Sequence, residues 1–413
     1  MNILIINVHS ALNLGDDAIM HATLRGLAEV YPGAMITVAA NDPESWRKFP
    51  QIKVVGSLTT WVVDRECWHW NKARLMLYAL LLPILAGARR WLHVNWLIGL
   101  ASQRELLTAY YDADLVLSCG GGNFYAHHSP SIAYLWSLAT MWLALALGKR
   151  TILLPQSIGP IAGRFQRWLA RWTFSQPALL LLREQRSAKF LAELGVHRKV
   201  TTLADLAFAL PPATGGCLPA PRDARLRVGV TVIDRGAQER SFTLQKDYES
   251  GLSDLLIQIQ REYQAHIYIF VQCYGPTPDQ DDRHCARRVY ERVREQTDAV
   301  TLMPDFRDAM DIRAAYRQLD CLIGTRMHTG IFALSHDVPV LLIGYQPKAA
   351  GTMALFELEH YCPDITVVTR DDLLTLTRQM IEQRAHLVKH IAVRRANVQN
   401  ILQNWSHWLE VKL

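Results

Sequence analysis

Short, continuous apolar runs alternate with longer amphipathic segments along almost the whole 413-residue chain, and this rhythm admits few folds. Strands are predicted over Asn2–Val8, Ala34–Ala39, Leu115–Cys119, Arg150–Leu154 and Ala178–Leu182. Helices are predicted over Gly15–Val30, Ser131–Leu147, Arg164–Ser175 and Glu184–Leu194. Pro211, Pro212, Gly215, Gly216, Pro219 and Pro221 then mark 211–225 as a linker. Beyond it the rhythm restarts, with strands over Arg227–Ile233, Ile267–Cys273, Ala299–Met303, Cys321–Gly324 and Val338–Ile343. The intervening helices cover Tyr248–Tyr263, Asp281–Gln296, Asp308–Leu319, Met327–Ser335 and Ala349–Glu357, and Leu373–Leu413 is helical. Strand–loop–helix alternation implies parallel sheets covered on both faces. The expected fold class is α/β: two doubly wound parallel-sheet (Rossmann-like) domains facing across a cleft, over 1–210 and 226–413. Ligands of such sheets bind outside the carboxyl ends of the strands, so the chemistry is expected in loops that follow strands.

Composition narrows the class. Half the residues are hydrophobic and 20% are charged, which excludes a disordered chain. A net charge of +6 suits small anions or anionic lipid and is too weak to argue for nucleic acid. The seven cysteines include no CxxC pair, and Cys119 and Cys321 lie in apolar runs. They read as reduced buried thiols of a cytoplasmic protein, with no zinc site. Met1–Val8 lacks the basic residues of a signal peptide, and the longest apolar run, Leu75–Ala88, is broken by Pro83. That run is shorter than the ~20 residues needed to span a bilayer.

Two segments are rich in tryptophan and arginine. The insert 61–111 holds Trp61, Trp68, Trp70, Trp91 and Trp96 with Lys72, Arg74, Arg89, Arg90 and Arg104. In Gly163–Ser175, Arg164, Arg167 and Arg171 share one helical face and Phe165, Trp168 and Trp172 the next. Both segments suit a bilayer interface, at the inner face of the cytoplasmic membrane, and some of the tryptophans suit stacking on sugars. The expectation adopted is helical core with the arginines solvated outside, because globular proteins routinely bury such aromatic stripes.

Six loops carry the candidate chemistry. The first, NVHSALNLGDD, brings Asn13, Gly15 and Asp16 to a helix start, where free N–H groups favour an anion or a hydroxyl-rich ligand. Asp16 and Asp17 could equally cap that helix. In SCGGGNFY, Gly121, Gly122 and Asn123 allow close approach of backbone to a ligand or to another loop. In PQSIGP, Gln156 and Ser157 directly follow a buried strand. In LREQRS, Arg183 is either paired with a carboxylate such as Glu184 or open to an anion. In GTRMHT, Arg326 and His328 put a fixed cation beside an acid/base group at a helix start. In GYQPKAAGT, Lys348 follows the next strand. Neither GxGxxG nor GxxxxGK[ST] is present, and no metal-ligand spacing is found; Asp279, Asp281 and Asp282 read as a solvated turn.

NLGDD, GGGNFY, PQSIGP, REQRS, ADLAF, TRMHTGIFAL and GYQPKAAG, in that order from Asn13 to Gly351, resemble the motifs of the polysaccharide pyruvyl transferase family. Where that family often carries a glycine before the first asparagine, this chain reads Ser10-Ala11-Leu12. The resemblance implies a GT-B-like pair of domains and transfer of the enolpyruvyl unit of phosphoenolpyruvate (PEP) to sugar hydroxyls as a ketal. It implies donor binding by Arg183, Arg326 and Lys348, with Arg326 and His328 catalytic and PEP as co-substrate without a cofactor. The implied acceptor is a bacterial surface saccharide, often lipid-linked. Two other readings share the architecture: a sugar-nucleotide glycosyltransferase and a non-catalytic saccharide-binding protein. A ribose-binding carboxylate would mark the former, and Glu357 and Glu359 have no evident role of that kind.

Overall fold

The computed structural model describes residues 1–61, 77, 81–88, 101–216, 218–219, 226–239 and 241–410. Trp68, Trp70, Trp91 and Trp96 of the insert, with Lys72, Arg74, Arg89 and Arg90, lie outside the described residues, as do linker positions 217 and 220–225. The chain forms two compact units. Unit 1 comprises Met1–Ala11, Ile19–Leu206 and Asn404–Leu413; unit 2 comprises Leu12–Ala18 and Ala207–Gln403.

Unit 1 is built on strands β1 (Asn2–Val8), β2 (Met35–Ala40), β3 (Ile52–Gly56), β4 (Leu115–Ser118), β5 (Gly121–Ala126), β6 (Arg150–Ile161), β7 (Leu179–Leu182) and β8 (Val200–Thr202). Their order is β3-β2-β1-β4-β6-β7-β8, with β5 paired to β6, and the pairings are parallel. Every residue of β4 is buried, as continuous apolar runs require of a doubly covered strand. The helix Ile132–Ala146 covers the sheet; its N-cap Ser131 accepts from the Tyr134 N–H, and Tyr134, Leu138, Met141 and Leu143 enter the core.

Unit 1 departs from the sequence expectation in the unpredicted β3, β8 and helix Ala101–Asp112, and in three further features. GGGNFY is a strand, β5, and PQSIGP lies inside β6 rather than in a loop after it. The β6–β7 register shifts between Leu153 and Gln156, flanking Pro155, which has no N–H to give to a ladder. Gly120 makes the neighbouring crossing possible: a Cβ there would lie 2.7 Å from the Pro155 carbonyl oxygen. The chain end also joins this unit. A Cβ on Gly26 would meet the Trp405 ring at 2.3 Å, and the Tyr31 hydroxyl donates to the Leu409 carbonyl.

Unit 2 holds β9 (Leu226–Thr231), β10 (Ala265–Phe270), β11 (Val300–Leu302), β12 (Cys321–Gly324) and β13 (Val340–Leu342), all parallel in the order β11-β10-β9-β12-β13. The order reverses between β9 and β12, the switch point where doubly wound sheets open a crevice. Part of the predicted linker lies along this unit. Arg313 Nη2 donates to the Pro211 carbonyl at 3.0 Å and Arg317 Nη1 to the Ala213 carbonyl at 3.1 Å. Gln318 donates to the Gly216 carbonyl at 2.8 Å. His336 Nδ1 lies 2.9 Å from the Phe332 carbonyl, and Nε2 accepts from the Ala213 N–H at 3.1 Å.

This pairing requires neutral His336, with Nδ1 the donor. Burial, and then the nearby Arg313 and Arg317 charges, push its pKa down to about 4. The unfolded chain therefore binds the proton first as pH falls. The stabilisation is full above pH ~6.5 and is lost progressively toward pH ~4, up to about 3 kcal/mol. The melting temperature is expected to drop between pH 7.5 and pH 5 by less in His336→Gln than in the parent chain; equal drops would contradict this assignment.

Candidate active site

The carboxyl edge of unit 2 is set by a buried chain of hydroxyls. Thr231, ending β9, accepts from the Thr325 N–H at 3.3 Å. Its hydroxyl lies 3.0 Å from that of Thr329, which in turn donates to Gln272 Oε1 at 2.7 Å, so Thr231 donates to Thr329. The same Gln272 oxygen accepts from the Tyr316 hydroxyl at 3.0 Å, while its Nε2 is buried without a hydrogen bond. Tyr248 meets Thr325 at 2.6 Å from the other side. These bonds fix the turn from β12 into the helix Met327–Leu334, which carries Arg326 at its N-cap and His328 in its first turn.

Arg326 is oriented by a carboxylate. Its Nε donates to Asp282 Oδ2 and its Nη2 to Asp282 Oδ1 at 2.7 Å, with the Gln280 carbonyl at 3.5 Å. Asp282 is fully buried and the Arg326 side chain is 12% exposed. Desolvation lowers the Arg326 pKa, but the charge and hydrogen bonds of Asp282, with smaller contributions from neighbouring groups, together outweigh it, and the guanidinium stays protonated well above the ordinary arginine range. Nη1 is the corner not engaged by Asp282 or Gln280. The solvated-turn expectation for 279–282 is thus corrected: Asp279 is exposed, Asp281 pairs with Arg283, and Asp282 is the buried partner of the candidate catalytic arginine.

The first motif joins the same unit. Asn13 bridges Cys273, Leu14 N–H donates to the Gln272 carbonyl at 3.2 Å, and Tyr274 N–H donates to the Leu12 carbonyl at 2.9 Å. Asn13 caps its own helix, taking the Gly15 N–H at 3.1 Å and donating to Asp16 at 3.2 Å. Asp17 is buried and accepts from the Ala309 N–H at 2.8 Å, so it caps a different helix from the one expected. Gly15 faces His328: a Cβ at position 15 would lie 2.1 Å from His328 Nδ1 and 2.4 Å from its Cγ. Only glycine leaves room for the imidazole. Cys273, near Arg326, Asp282 and Asp16, is pushed up to about 11 by burial and remains a thiol at neutral pH. Lys348 lies half-buried in the first turn of the helix Pro347–Ala354, after β13, the neighbour of β12.

The other candidates lie in unit 1. Arg183 is buried; its Nη1 pairs with Asp205 and its Nε donates to Ser157 Oγ, each at 2.7 Å. Its carboxylate partner is therefore Asp205 of the ADLAF segment, not Glu184, which accepts from Ser187 at 3.0 Å. Arg183 Nη2 is buried without a hydrogen bond, as are both amide atoms of Gln156. Asn123 Nδ2 donates to the Asn7 carbonyl at 2.8 Å, a bond that ties β5 to the end of β1. Gly121 has φ +136°, a conformation side chains rarely adopt, and Gly122 follows it in β5. Sequence reasoning missed Asp282, Asp205 and Gln272. A sequence signal existed only for Asp205, inside a recognised motif.

Asp282→Asn would strand the buried Arg326 charge and is expected to cost about 3 kcal/mol in urea unfolding. Combining Asp282→Asn with Arg326→Leu should recover a good part of that loss. A cost of the single substitution below about 1 kcal/mol, the range of exposed pairs, would contradict a buried pair.

Residues 13–347 match the family described as polysaccharide pyruvyl transferase. The amylovoran biosynthesis protein AmsJ of Erwinia amylovora is 24% identical over 305 residues, covering 70% of this chain and 71% of AmsJ. Among solved structures, UDP-GlcNAc 2-epimerase of Neisseria meningitidis superposes with TM-score 0.59 at 12% identity, over 99% of both chains. Anabaena HepE, solved with UDP and glucose, gives 0.55 at 13% identity over the whole of both chains. At such identities the structural likeness speaks for the GT-B-like fold alone, whereas the family match spans most of the sequence. The chain belongs to the polysaccharide pyruvyl transferase family.

Proposed function

We propose that this protein moves the enolpyruvyl unit of PEP onto two hydroxyls of an exopolysaccharide precursor, forming a pyruvate ketal and releasing phosphate. The observation that carries the reading is a protonated, buried-anchored Arg326 two residues from His328, whose ring is seated against Gly15 at the switch-point edge of unit 2. A fixed cation and a mobile proton are what this chemistry needs.

A proton added to C3 of PEP leaves C2 electron-poor, and a sugar hydroxyl attacks C2 and loses its proton. A second hydroxyl then displaces phosphate from C2. One hydroxyl proton replaces the proton placed on C3 and the other leaves with phosphate, so the products are the ketal and inorganic phosphate. Arg326 Nη1 and Lys348 are assigned to the donor's anionic groups. His328 is assigned the proton transfer, because an imidazole can both give and take a proton, and the hydrogen-bonded Asn13 and Asp16 adjoin Gly15 in the chain. In unit 1, Arg183 Nη2 and the Gln156 amide retain unused hydrogen-bonding capacity and are assigned to substrate, with Ser157 and the Gly121–Asn123 strand beside them in the sheet. The reading needs no cofactor or metal. The buried thiols of Cys273, Cys285 and Cys321 fit a reducing, cytoplasmic setting.

Calorimetric titration is expected to show PEP binding to the parent chain and at least about tenfold weaker binding to Arg326→Ala. Response to UDP-sugars with none to PEP would overturn the reading in favour of a glycosyltransferase. His328→Ala should retain PEP binding and lose turnover. Gly15→Ala, by displacing the ring, should lower turnover about 100-fold with PEP affinity kept; unchanged turnover in either variant would remove His328 from the mechanism.

A further inference from the structure

The helix Arg164–Phe174 turns its aromatic residues away from the core. Gln166, Ala170, Thr173 and Phe174 are buried, whereas Phe165, Trp168 and Trp172 are 65%, 61% and 48% exposed. The core assignment made from the sequence is therefore overturned for this segment. Positions 164, 165, 168, 171 and 172 follow the i, i+1, i+4, i+7, i+8 spacing of one helical face. That face consists of three aromatic rings with the exposed Arg164 and Arg171, and the helix contains no acidic residue.

The face is rigidly held. Gln166 Oε1 accepts from the Ser131 N–H at 2.6 Å, and its Nε2 donates to the Ala162 and His128 carbonyls at 2.8 and 3.2 Å. Trp142 Nε1 donates to Thr173 Oγ1 at 2.7 Å, and the Trp142 ring meets Trp172 edge-on at 6.3 Å. Phe165 and Trp168 stack on each other at 6.0 Å. A helix clamped in this way keeps a continuous aromatic stripe in water, an arrangement that marks an interaction surface.

We propose that this face docks on an anionic lipid surface, with the rings entering the boundary between headgroups and acyl chains and the arginines meeting lipid phosphates. The charge pattern selects this occupant: the polar residues framing the rings are cationic, as in helices that lie in a membrane interface. A symmetric second copy meeting the same face would set arginine against arginine. Among the described residues no helix is long and apolar enough to cross a bilayer. The inference does not depend on PEP as donor. It would hold the enzyme beside lipid-borne saccharide.

Flotation of the full chain with phosphatidylcholine vesicles, with and without phosphatidylglycerol, tests it. The parent chain is expected to float with the anionic vesicles and less with the neutral ones. The combined substitution Phe165→Ser, Trp168→Ser and Trp172→Ser should reduce the bound fraction at least about tenfold with melting temperature and PEP binding kept. Should that variant fail to fold, Arg164→Glu with Arg171→Glu should abolish the preference for anionic vesicles. No flotation of the parent chain, or flotation unchanged in the variants, would overturn the proposal. So would a parent dimer that the aromatic substitutions dissolve.

Discussion

The candidate site of unit 2 depends on one steric vacancy. His328 occupies the space that a side chain at position 15 would fill, with Nδ1 2.1 Å from where a Cβ would stand. Neither partner is held by this contact alone. The segment Leu12–Ala18 is sewn to the end of β10 through the Gln272 carbonyl and the Asn13–Cys273 bridge. The helix bearing His328 is fixed through Thr329 and Thr231. Two backbones, both tied to Gln272, thus converge on one ring, which limits the positions that ring can take. Such positioning by surrounding structure is a requirement for proton transfer to a reacting carbon.

Electrostatics complete the arrangement. A lone guanidinium in the low-polarity edge of a sheet would be destabilising, and Asp282 offsets this by a two-point contact that also sets the plane of the fork. The price is that Arg326 has one corner left, and that corner becomes directional. Unit 1 uses the same device at Arg183 and Asp205, with Ser157 as third partner. Both pairs place a fixed positive group at the carboxyl end of a parallel strand, where ligands of this architecture bind.

Much of the fold was legible because buried parallel strands leave continuous apolar runs, such as Leu226–Thr231 and Cys321–Gly324. The extension of β6 through Pro155 and Pro160 was not legible, since proline and glycine are ordinarily loop signals. Arg326, His328 and Gly15 were legible as types of residue at strand ends, but the contact between Gly15 and the imidazole was not, because it is made in space between distant parts of the chain. Asp282 was hidden for a different reason: in PDQDD it is one acid among three, and only tertiary burial separates it from its solvated neighbour Asp279. Helical periodicity correctly grouped Phe165, Trp168 and Trp172, but periodicity does not tell which face turns inward.

The central claim is that the Gly15–His328–Arg326 arrangement serves ketal formation from PEP. Carbon NMR of PEP labelled at C2, incubated with the protein and a lipid-linked or soluble saccharide precursor, reads that chemistry directly. The account predicts that the label leaves the vinyl position and appears as a quaternary ketal carbon, with one phosphate released per ketal. Label that stays in PEP, or emerges only as free pyruvate whichever saccharide is supplied, would contradict it.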